Sequence, residues 1–127
     1  MTRRGVRERL QDIRAAAEDA LEFCSRLDEE GFATLATADR RTSRALKNVL
    51  AEIGEAVKLL PPELISRQPG VDWRGWAGLR DVVAHQYFSL ELPRLRPTIV
   101  VDLPVLLRAV EDELLRASDV PNGPGGP

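Results

Sequence analysis

The chain has 127 residues, the size of one domain built around one hydrophobic core. Hydrophobic residues make up 43% and charged residues 30%, at a formal net charge of −2, and this balance excludes wholesale disorder. Charged residues interrupt the N-terminal segment and every apolar run, so we expect neither a signal peptide nor a membrane span, and we predict a cytoplasmic protein.

Metal and nucleic-acid chemistry are both limited by the composition. Cys24 and His85 are the only cysteine and histidine, which excludes an intrachain disulfide and a zinc site built from several such ligands. Cys24 lies on an apolar helical stripe and is interpreted as a small buried hydrophobe. No metal or other cofactor is therefore expected. The slightly negative net charge means that any RNA binding must use a local patch or a groove between subunits.

Four amphipathic helices are predicted from apolar residues at steps of three and four. They cover, in chain order, Val6 to Leu27, a segment that begins between Glu30 and Ser43 and ends at Leu60, Trp73 to Phe88 after an N-cap at Asp72, and a segment that begins at Asp102-Leu103-Pro104. The proline-rich connection between the second and third holds at most a short helical turn. The sequence thus predicts an all-α, antiparallel bundle of four to five helices in residues 1–117, followed by a disordered Pro/Gly tail at 118–127.

The candidate chemistry lies at the end of the third predicted helix. A guanidinium, an imidazole and a phenol occur within eight residues there, on Arg80, His85 and Tyr87. Imidazole can take the proton of a ribose 2′-hydroxyl near neutral pH, and guanidinium can neutralise charge that develops on phosphate oxygens. These groups point to cleavage of a phosphodiester. The alternative for a lone histidine is a structural or surface role.

Glu55 follows Gly54 on the otherwise apolar second helix and has two interpretations. Its carboxylate either points toward the motif helix and holds Arg80 or His85, or it lies on the solvated face and pairs with Lys58 three residues later. The first interpretation makes Glu55 a supporting residue of the site.

Two further sets of residues lie close to the motif. Trp73 and Trp76 are at helical spacing, which favours the core over base-stacking platforms. Four arginines flank the motif in sequence: Arg67, Arg74, Arg94 and Arg96. They either guide RNA or form an ordinary solvated set of charges.

The segment from Arg80 to Tyr87 fits an Arg-x4-His-x-Tyr motif, and in this it resembles the HepT-like toxins of the HEPN superfamily of α-helical ribonucleases. Other segments are similar to the family as well: Ile53-Gly54-Glu55-Ala56, Trp73, His85-Gln86-Tyr87-Phe88 and Asp102-Leu103-Pro104. The resemblance covers about residues 6 to 117 and identifies residues 1–117 as a HepT-like HEPN helical domain.

The resemblance implies a metal-independent endoribonuclease toxin of a type VII-like HepT/MNT toxin–antitoxin system, in which His85 and Arg80 cleave RNA through attack of the 2′-hydroxyl. It also implies a homodimer and a cognate antitoxin of the minimal nucleotidyltransferase (MNT) type that adenylylates Tyr87. Where related families carry Asn or another polar residue, this chain has Asp81. That carboxylate either orients Arg80 or cancels part of its charge.

Helical geometry gives an independent reason to expect a homodimer. Arg80 and His85 are about 140° apart around an ideal helix, so one helix presents the pair poorly. Gly78, Asp81 and His85 share one stripe, where a symmetry-related copy can bring two Arg–His sets over one phosphate. The alternative is that this stripe packs within the bundle.

The main alternative function is a catalytically inactive helical bundle that binds a nucleotidyltransferase partner. A generic structural bundle would leave the Arg, His and Tyr cluster unexplained. Toxicity on expression that is abolished by His85→Ala separates the ribonuclease from both.

Overall fold

A computed structural model describes residues 5–119, and this part of the chain contains helices and no strand. Its α-helices are α1 (Val6–Cys24), α2 (Glu29–Ala38), α3 (Arg40–Val57), α4 (Pro62–Arg67), α5 (Trp73–His85) and α6 (Leu103–Asp119). A 3₁₀ turn at Leu92–Leu95 and a π-helical turn at Thr98–Asp102 join α5 to α6. The all-α prediction is confirmed, with six helices in the described range where four to five were expected.

A capping residue divides the second predicted helix into α2 and α3. The Asp39 carboxylate accepts a hydrogen bond from the backbone N–H of Thr42 at 3.0 Å and so caps α3. The backbone of Asp39 is not helical, so it separates α2 from α3. The sequence analysis predicted a single helix here, with a start between Glu30 and Ser43. The predicted cap of α5 is confirmed, because Asp72 accepts from the N–H of Gly75 at 3.0 Å.

The core is shared by all six helices. α3 packs between α1 and α5, α1 also packs against α6, and α2 packs against α3 and the 3₁₀ turn. The largest fully buried apolar side chains are Leu10, Ile13, Phe32, Leu46, Leu50, Ile53, Leu64, Ile99, Leu103, Leu106 and Val110. Trp73 and Trp76 are buried with them, which confirms that both belong to the core.

α5 ends at His85, so the predicted helix to Phe88 is wrong by three residues. The N–H of Gln86 makes the last helical hydrogen bond, to the carbonyl of Val82, and the chain then turns back. Leu90 and Leu92 are buried after the turn, so their burial requires the change of direction. Tyr87 therefore does not lie on the helix that carries Arg80.

α6 begins at Leu103, within the predicted start, but the predicted N-cap role of Asp102 is wrong. The backbone is already helical from Thr98, and the N–H of Leu103 bonds to the carbonyl of Thr98, so Asp102 does not begin a helix as an N-cap. α6 continues to Asp119, two residues into the predicted 118–127 tail. The rest of that tail lies outside the described residues. Within residues 5–119, no helix is long and apolar enough to cross a membrane.

Glu113 on α6 ties α4 to the bundle. Its Oε1 accepts hydrogen bonds from Nε and Nη2 of Arg67 at 3.0 and 2.7 Å, and its Oε2 accepts one from Gln68 Nε2 at 2.8 Å. The Glu113 side chain is 1% exposed, so these partners compensate a buried charge. Arg67, one of the four candidate RNA-guiding arginines, thus has a structural partner.

Candidate active site

The candidate site lies where α3 and α5 run antiparallel at close range. Residue numbers fall along α5 as they rise along α3, since Lys47 contacts Tyr87 and Glu55 contacts Arg80. A Cβ at Gly54 would lie 2.6 Å from the carbonyl oxygen of Trp76 and 3.0 Å from the backbone nitrogen of Arg80. Only glycine fits at this crossing, and the close approach brings the next residue of α3 beside Arg80.

Glu55 forms an ion pair with Arg80. The distance from Arg80 Nε to Glu55 Oε2 is 2.9 Å, and both side chains are about half exposed, at 52% and 54%. The alternative pairing of Glu55 with Lys58 is wrong, because the Lys58 ammonium lies 3.5 Å from Oδ2 of Asp81 instead. Glu55 is therefore positioned to set the direction of the Arg80 guanidinium.

Asp81 is a second carboxylate near the Arg80 guanidinium. Its Oδ1 is 3.7 Å from Arg80 Nη1, which is too long for a hydrogen bond but close enough to weaken the positive charge. Together with Lys58 and Glu55, the two residues form a group of two cations and two carboxylates with no net charge. Of the two roles considered for Asp81, this geometry favours partial cancellation of the Arg80 charge over orientation.

His85 is the last residue of α5 and is exposed. Its imidazole makes no hydrogen bond or ion pair with any residue in the described part of the chain, so both ring nitrogens remain open to a ligand. It lies five positions after Arg80 on the helix, which corresponds to a rise of about 7.5 Å and a rotation of about 140°. The two side chains do not contact each other within one chain.

Tyr87 is half-buried and is held by a residue that the sequence analysis missed. Lys47 Nζ donates a hydrogen bond to the Tyr87 carbonyl oxygen at 2.5 Å and lies 4.9 Å from the centre of the Tyr87 ring. Burial lowers the pKa of the Lys47 ammonium. The available signal was a lysine next to Leu46 on the apolar stripe of α3, where a charge needs a partner.

The remaining candidate arginines are spread around α5 and the turn that follows it. Arg74 and Arg94 are exposed, and neither makes an ion pair with a residue between 5 and 119. Arg96 is half-buried, and its Nε is buried without a hydrogen-bond partner in the same range. The structure does not bring these three into direct contact with Arg80 or His85.

The described residues offer neither a reactive thiol nor a metal-binding cluster as an alternative site. Burial raises the pKa of the Cys24 thiol to about 11, so its thiolate is scarce at neutral pH. No group of three or more His, Cys, Asp and Glu side chains among the described residues is arranged to hold a metal ion. The exposed imidazole and guanidinium of α5 can supply a proton acceptor and a cation for a phosphate.

Comparison with known proteins gives a consistent set of relatives. A family model described as "Ribonuclease HepT-like" matches residues 13–113. A Methanocaldococcus jannaschii protein named "Putative RNase" is 31% identical over 112 residues, which is 88% of this chain and 89% of that protein. A Thermococcus cleftensis protein named "Probable ribonuclease HepT" is 33% identical over 104 residues, 82% of this chain and 91% of its own. No solved structure is significantly similar.

Proposed function

The chain belongs to the HepT-like ribonuclease family, and from that premise we propose that it is an endoribonuclease that needs no metal ion. The observation that carries the proposal is the exposed surface of α5, which presents the Arg80 guanidinium and the His85 imidazole to solvent. His85 has no competing partner among the described residues, and Arg80 is steadied by Glu55. An acid–base group and a positioned cation are the requirements for cleaving RNA at its own 2′-hydroxyl.

In the proposed reaction, His85 takes the proton of the ribose 2′-hydroxyl. The 2′-oxygen then bonds to the adjacent phosphorus, and the bond from phosphorus to the 5′-oxygen of the next nucleotide breaks. The imidazolium returns the proton to that leaving oxygen, which leaves a 2′,3′-cyclic phosphate and a 5′-hydroxyl. Arg80 stabilises the additional negative charge on the pentavalent phosphate.

The carboxylates beside Arg80 have opposite effects in this reaction. Glu55, at 2.9 Å, holds the guanidinium in place while leaving its other N–H groups available to phosphate. Asp81, at 3.7 Å, competes with an incoming phosphate for the same charge. RNA binding therefore requires that Asp81 gives up part of its interaction with Arg80.

The proposed active form is a homodimer in which two motif copies face each other. Arg80 and His85 of one chain are about 140° apart around α5, so a single helix presents the pair poorly to one phosphate. Gly78 supports close approach of a second copy, because a Cβ built there meets no heavy atom within 4 Å. The dimer then combines Arg80 of one protomer with His85 of its partner.

The proposed biological role is that of the toxin in a type VII-like pair, neutralised by an MNT-type nucleotidyltransferase that adenylylates Tyr87. Tyr87 lies two residues after His85, so an adenylyl group there adds a phosphate anion where the RNA phosphate must bind. Mass spectrometry after co-expression with the nucleotidyltransferase should find the added mass on Tyr87. A neutralised complex with an unmodified Tyr87 would contradict this role.

A catalytically inactive module that binds the nucleotidyltransferase is the second candidate. The observation that favours it is the balance of charges around Arg80, where two carboxylates oppose the two cations. A permanently neutralised Arg80 would bind phosphate weakly.

Cleavage of RNA by the purified chain in EDTA separates the two candidates. We expect activity on RNA, none on DNA, and cyclic phosphate ends. Arg80→Ala and His85→Ala should each lower the rate by about 10²-fold or more. Arg44→Ala, at an exposed position on α3, is the control and should leave the rate unchanged. Loss of activity in EDTA, or full activity in both motif variants, would show that the mechanism is wrong.

A further inference from the structure

Phe88 is exposed to a degree unusual for a phenylalanine. Its side chain is 95% exposed, although it directly follows a half-buried tyrosine and lies three residues after His85. Burying such a ring would stabilise the protein by about 2 kcal/mol, so its exposure indicates a binding role. The flat face of the ring is open to solvent.

The Phe88 ring contacts the ring of its neighbour Tyr87. Its centroid lies 5.4 Å from that of Tyr87, at an interplanar angle of 74°, which is an edge-to-face contact. Tyr87 is in turn fixed by Lys47, which binds its carbonyl and lies over its ring. The residue that precedes Phe88 is thus anchored to α3, and this reduces the conformational freedom that ligand binding would have to remove.

A groove of about 640 Å³ opens beside this ring, between α2 and the segment that follows α5. Its walls are apolar on the α2 side, where Phe32, Ala33 and Ala36 line it. The rest of the lining mixes apolar and polar residues: Phe88, Leu90, Leu92 and Pro93 together with Lys47, Ser89 and Glu91. A flat apolar surface with hydrogen-bonding groups at its edge suits a planar heterocycle.

We propose that this groove binds a nucleobase of single-stranded RNA, with Phe88 as the stacking platform, beside the phosphate that is cleaved. The inference rests on the proposed ribonuclease function and adds a substrate subsite to it. Stacking on an exposed aromatic ring is a general way to bind single-stranded RNA, because every base has a π face.

The position of the groove fits a nucleotide next to the cleavage site. Three Cα steps separate Phe88 from His85, which limits the distance between their Cα atoms to about 11 Å. A base stacked on Phe88 therefore belongs to a nucleotide close to the phosphate at His85. This places the subsite on the path of the substrate.

Arginines that follow the groove lining closely in sequence favour RNA as the occupant. Leu92 and Pro93 line the groove, and the exposed Arg94 follows on the same 3₁₀ turn. Arg96 is two residues further and has the unpartnered Nε described above. Arginines close in sequence to a stacking platform can bind the phosphates that alternate with the bases along an RNA strand.

Binding of labelled single-stranded RNA to the full chain carrying His85→Ala, which prevents cleavage, tests the proposal by fluorescence anisotropy. Adding Phe88→Ala should weaken binding by about 5- to 100-fold, the scale of one lost base–aromatic stack. Adding Phe88→Trp should retain binding, since the platform is kept. Leu115→Ala, which removes an exposed side chain on α6, should have no effect.

Single abasic nucleotides identify the stacked base. Removing the base at one position of the RNA should weaken binding to the His85→Ala chain by the same factor as the Phe88→Ala substitution does with intact RNA. The same abasic RNA should bind the double variant no more weakly than intact RNA does. If the His85→Ala chain binds intact RNA equally well with and without Phe88→Ala, and the wild-type chain cleaves RNA, this inference is overturned and the ribonuclease proposal stands.

Two other results would also reject the subsite. In one, light scattering shows that Phe88→Ala changes the oligomeric state of the protein. In the other, Phe88→Ala abolishes nucleotidyltransferase binding and leaves the RNA affinity unchanged. Either result would assign the ring to a protein interface. Failure of the wild-type chain to bind or cleave any RNA would overturn the proposed function and the subsite together.

Discussion

Lys47 and Tyr87 meet across the α3–α5 interface through two contacts at once. The ammonium binds the Tyr87 carbonyl oxygen at 2.5 Å and lies 4.9 Å from the centre of the ring. One buried lysine thus holds both the backbone and the side chain of the tyrosine that follows the end of α5. The segment that continues from His85 is therefore anchored to the core.

Lys47→Met should destabilise the protein, because methionine keeps the length of the side chain but cannot donate to the Tyr87 carbonyl. We expect a loss of about 1–3 kcal/mol in the free energy of unfolding, measured by urea denaturation. Lys58→Met is the matched control, since the Lys58–Asp81 pair is exposed and should contribute less than about 1 kcal/mol. Equal losses in both variants would contradict the anchoring role of Lys47.

Glu55→Ala should reduce RNA cleavage more than it reduces stability. The ion pair with Arg80 is half exposed, so its removal should change the free energy of unfolding by less than about 1 kcal/mol. The freed guanidinium is less well positioned, and kcat should fall by about tenfold or more. Glu55→Gln, which can still accept from Arg80, should recover part of this loss. Glu52→Ala, one turn earlier on α3, should behave like wild type; a similar fall in kcat there would argue against positioning.

Asp81→Asn should strengthen RNA binding. Removing the carboxylate 3.7 Å from Arg80 Nη1 increases the positive charge available to phosphate, and we expect KM to fall by about 3- to 10-fold at low salt. Glu111→Gln removes the same charge from an exposed position on α6 and controls for net charge. A higher KM in Asp81→Asn would mean that Asp81 orients Arg80 after all.

Gly78→Leu should prevent dimer formation without unfolding the chain. A Cβ at Gly78 meets nothing within 4 Å in its own chain, whereas the proposed partner copy approaches there. Light scattering should give twice the monomer mass for the wild-type chain and the monomer mass for the variant, with unchanged helical circular dichroism. Gly54→Ala is the contrasting variant, because its methyl group would collide with the backbone of α5 and destabilise the fold. A wild-type chain that is monomeric at micromolar concentration would refute the dimer.

Acid should weaken the link between α4 and α6. Burial raises the pKa of the Glu113 carboxyl. Hydrogen bonds from Arg67 and Gln68 and the positive charges of Arg67 and Arg116 lower the pKa by a larger amount, so the net pKa is below its usual value. A lowered folded-state pKa adds stability above the usual carboxyl value of about 4.3, and this stability is lost as pH falls through the folded-state pKa.

The Glu113→Gln variant tests this pH dependence. The wild-type chain should have the higher free energy of unfolding at pH 7, and the difference should shrink between about pH 5 and pH 3, as followed by denaturation with urea. Glu111→Gln, at an exposed position on the same helix, should follow the wild-type curve. A difference that stays constant with pH would exclude the charged form of Glu113 as the source.

Local sequence signals alone determined the fold class, one helix N-cap and the residue types of the candidate site. The three- and four-residue spacing of apolar side chains predicted an all-α bundle, because that spacing needs no knowledge of the partner helix. Asp72 was identified as an N-cap for a similar reason, since it bonds to a group only three residues away. The Arg80, His85 and Tyr87 motif was visible as residue types, and its family was recognised from neighbouring segments.

Tertiary structure alone decided which charges meet and where α5 ends. Glu55, Asp81 and Lys47 each pair with a residue far along the chain. The choice between Arg80 and Lys58 for Glu55 depended on the close crossing at Gly54. Helical spacing continues smoothly through Phe88, but burial of Leu90 and the Lys47 hydrogen bond turn the chain after His85. Such contacts join residues about 25 to 40 positions apart, and a local pattern cannot determine them because their energies depend on how the helices pack.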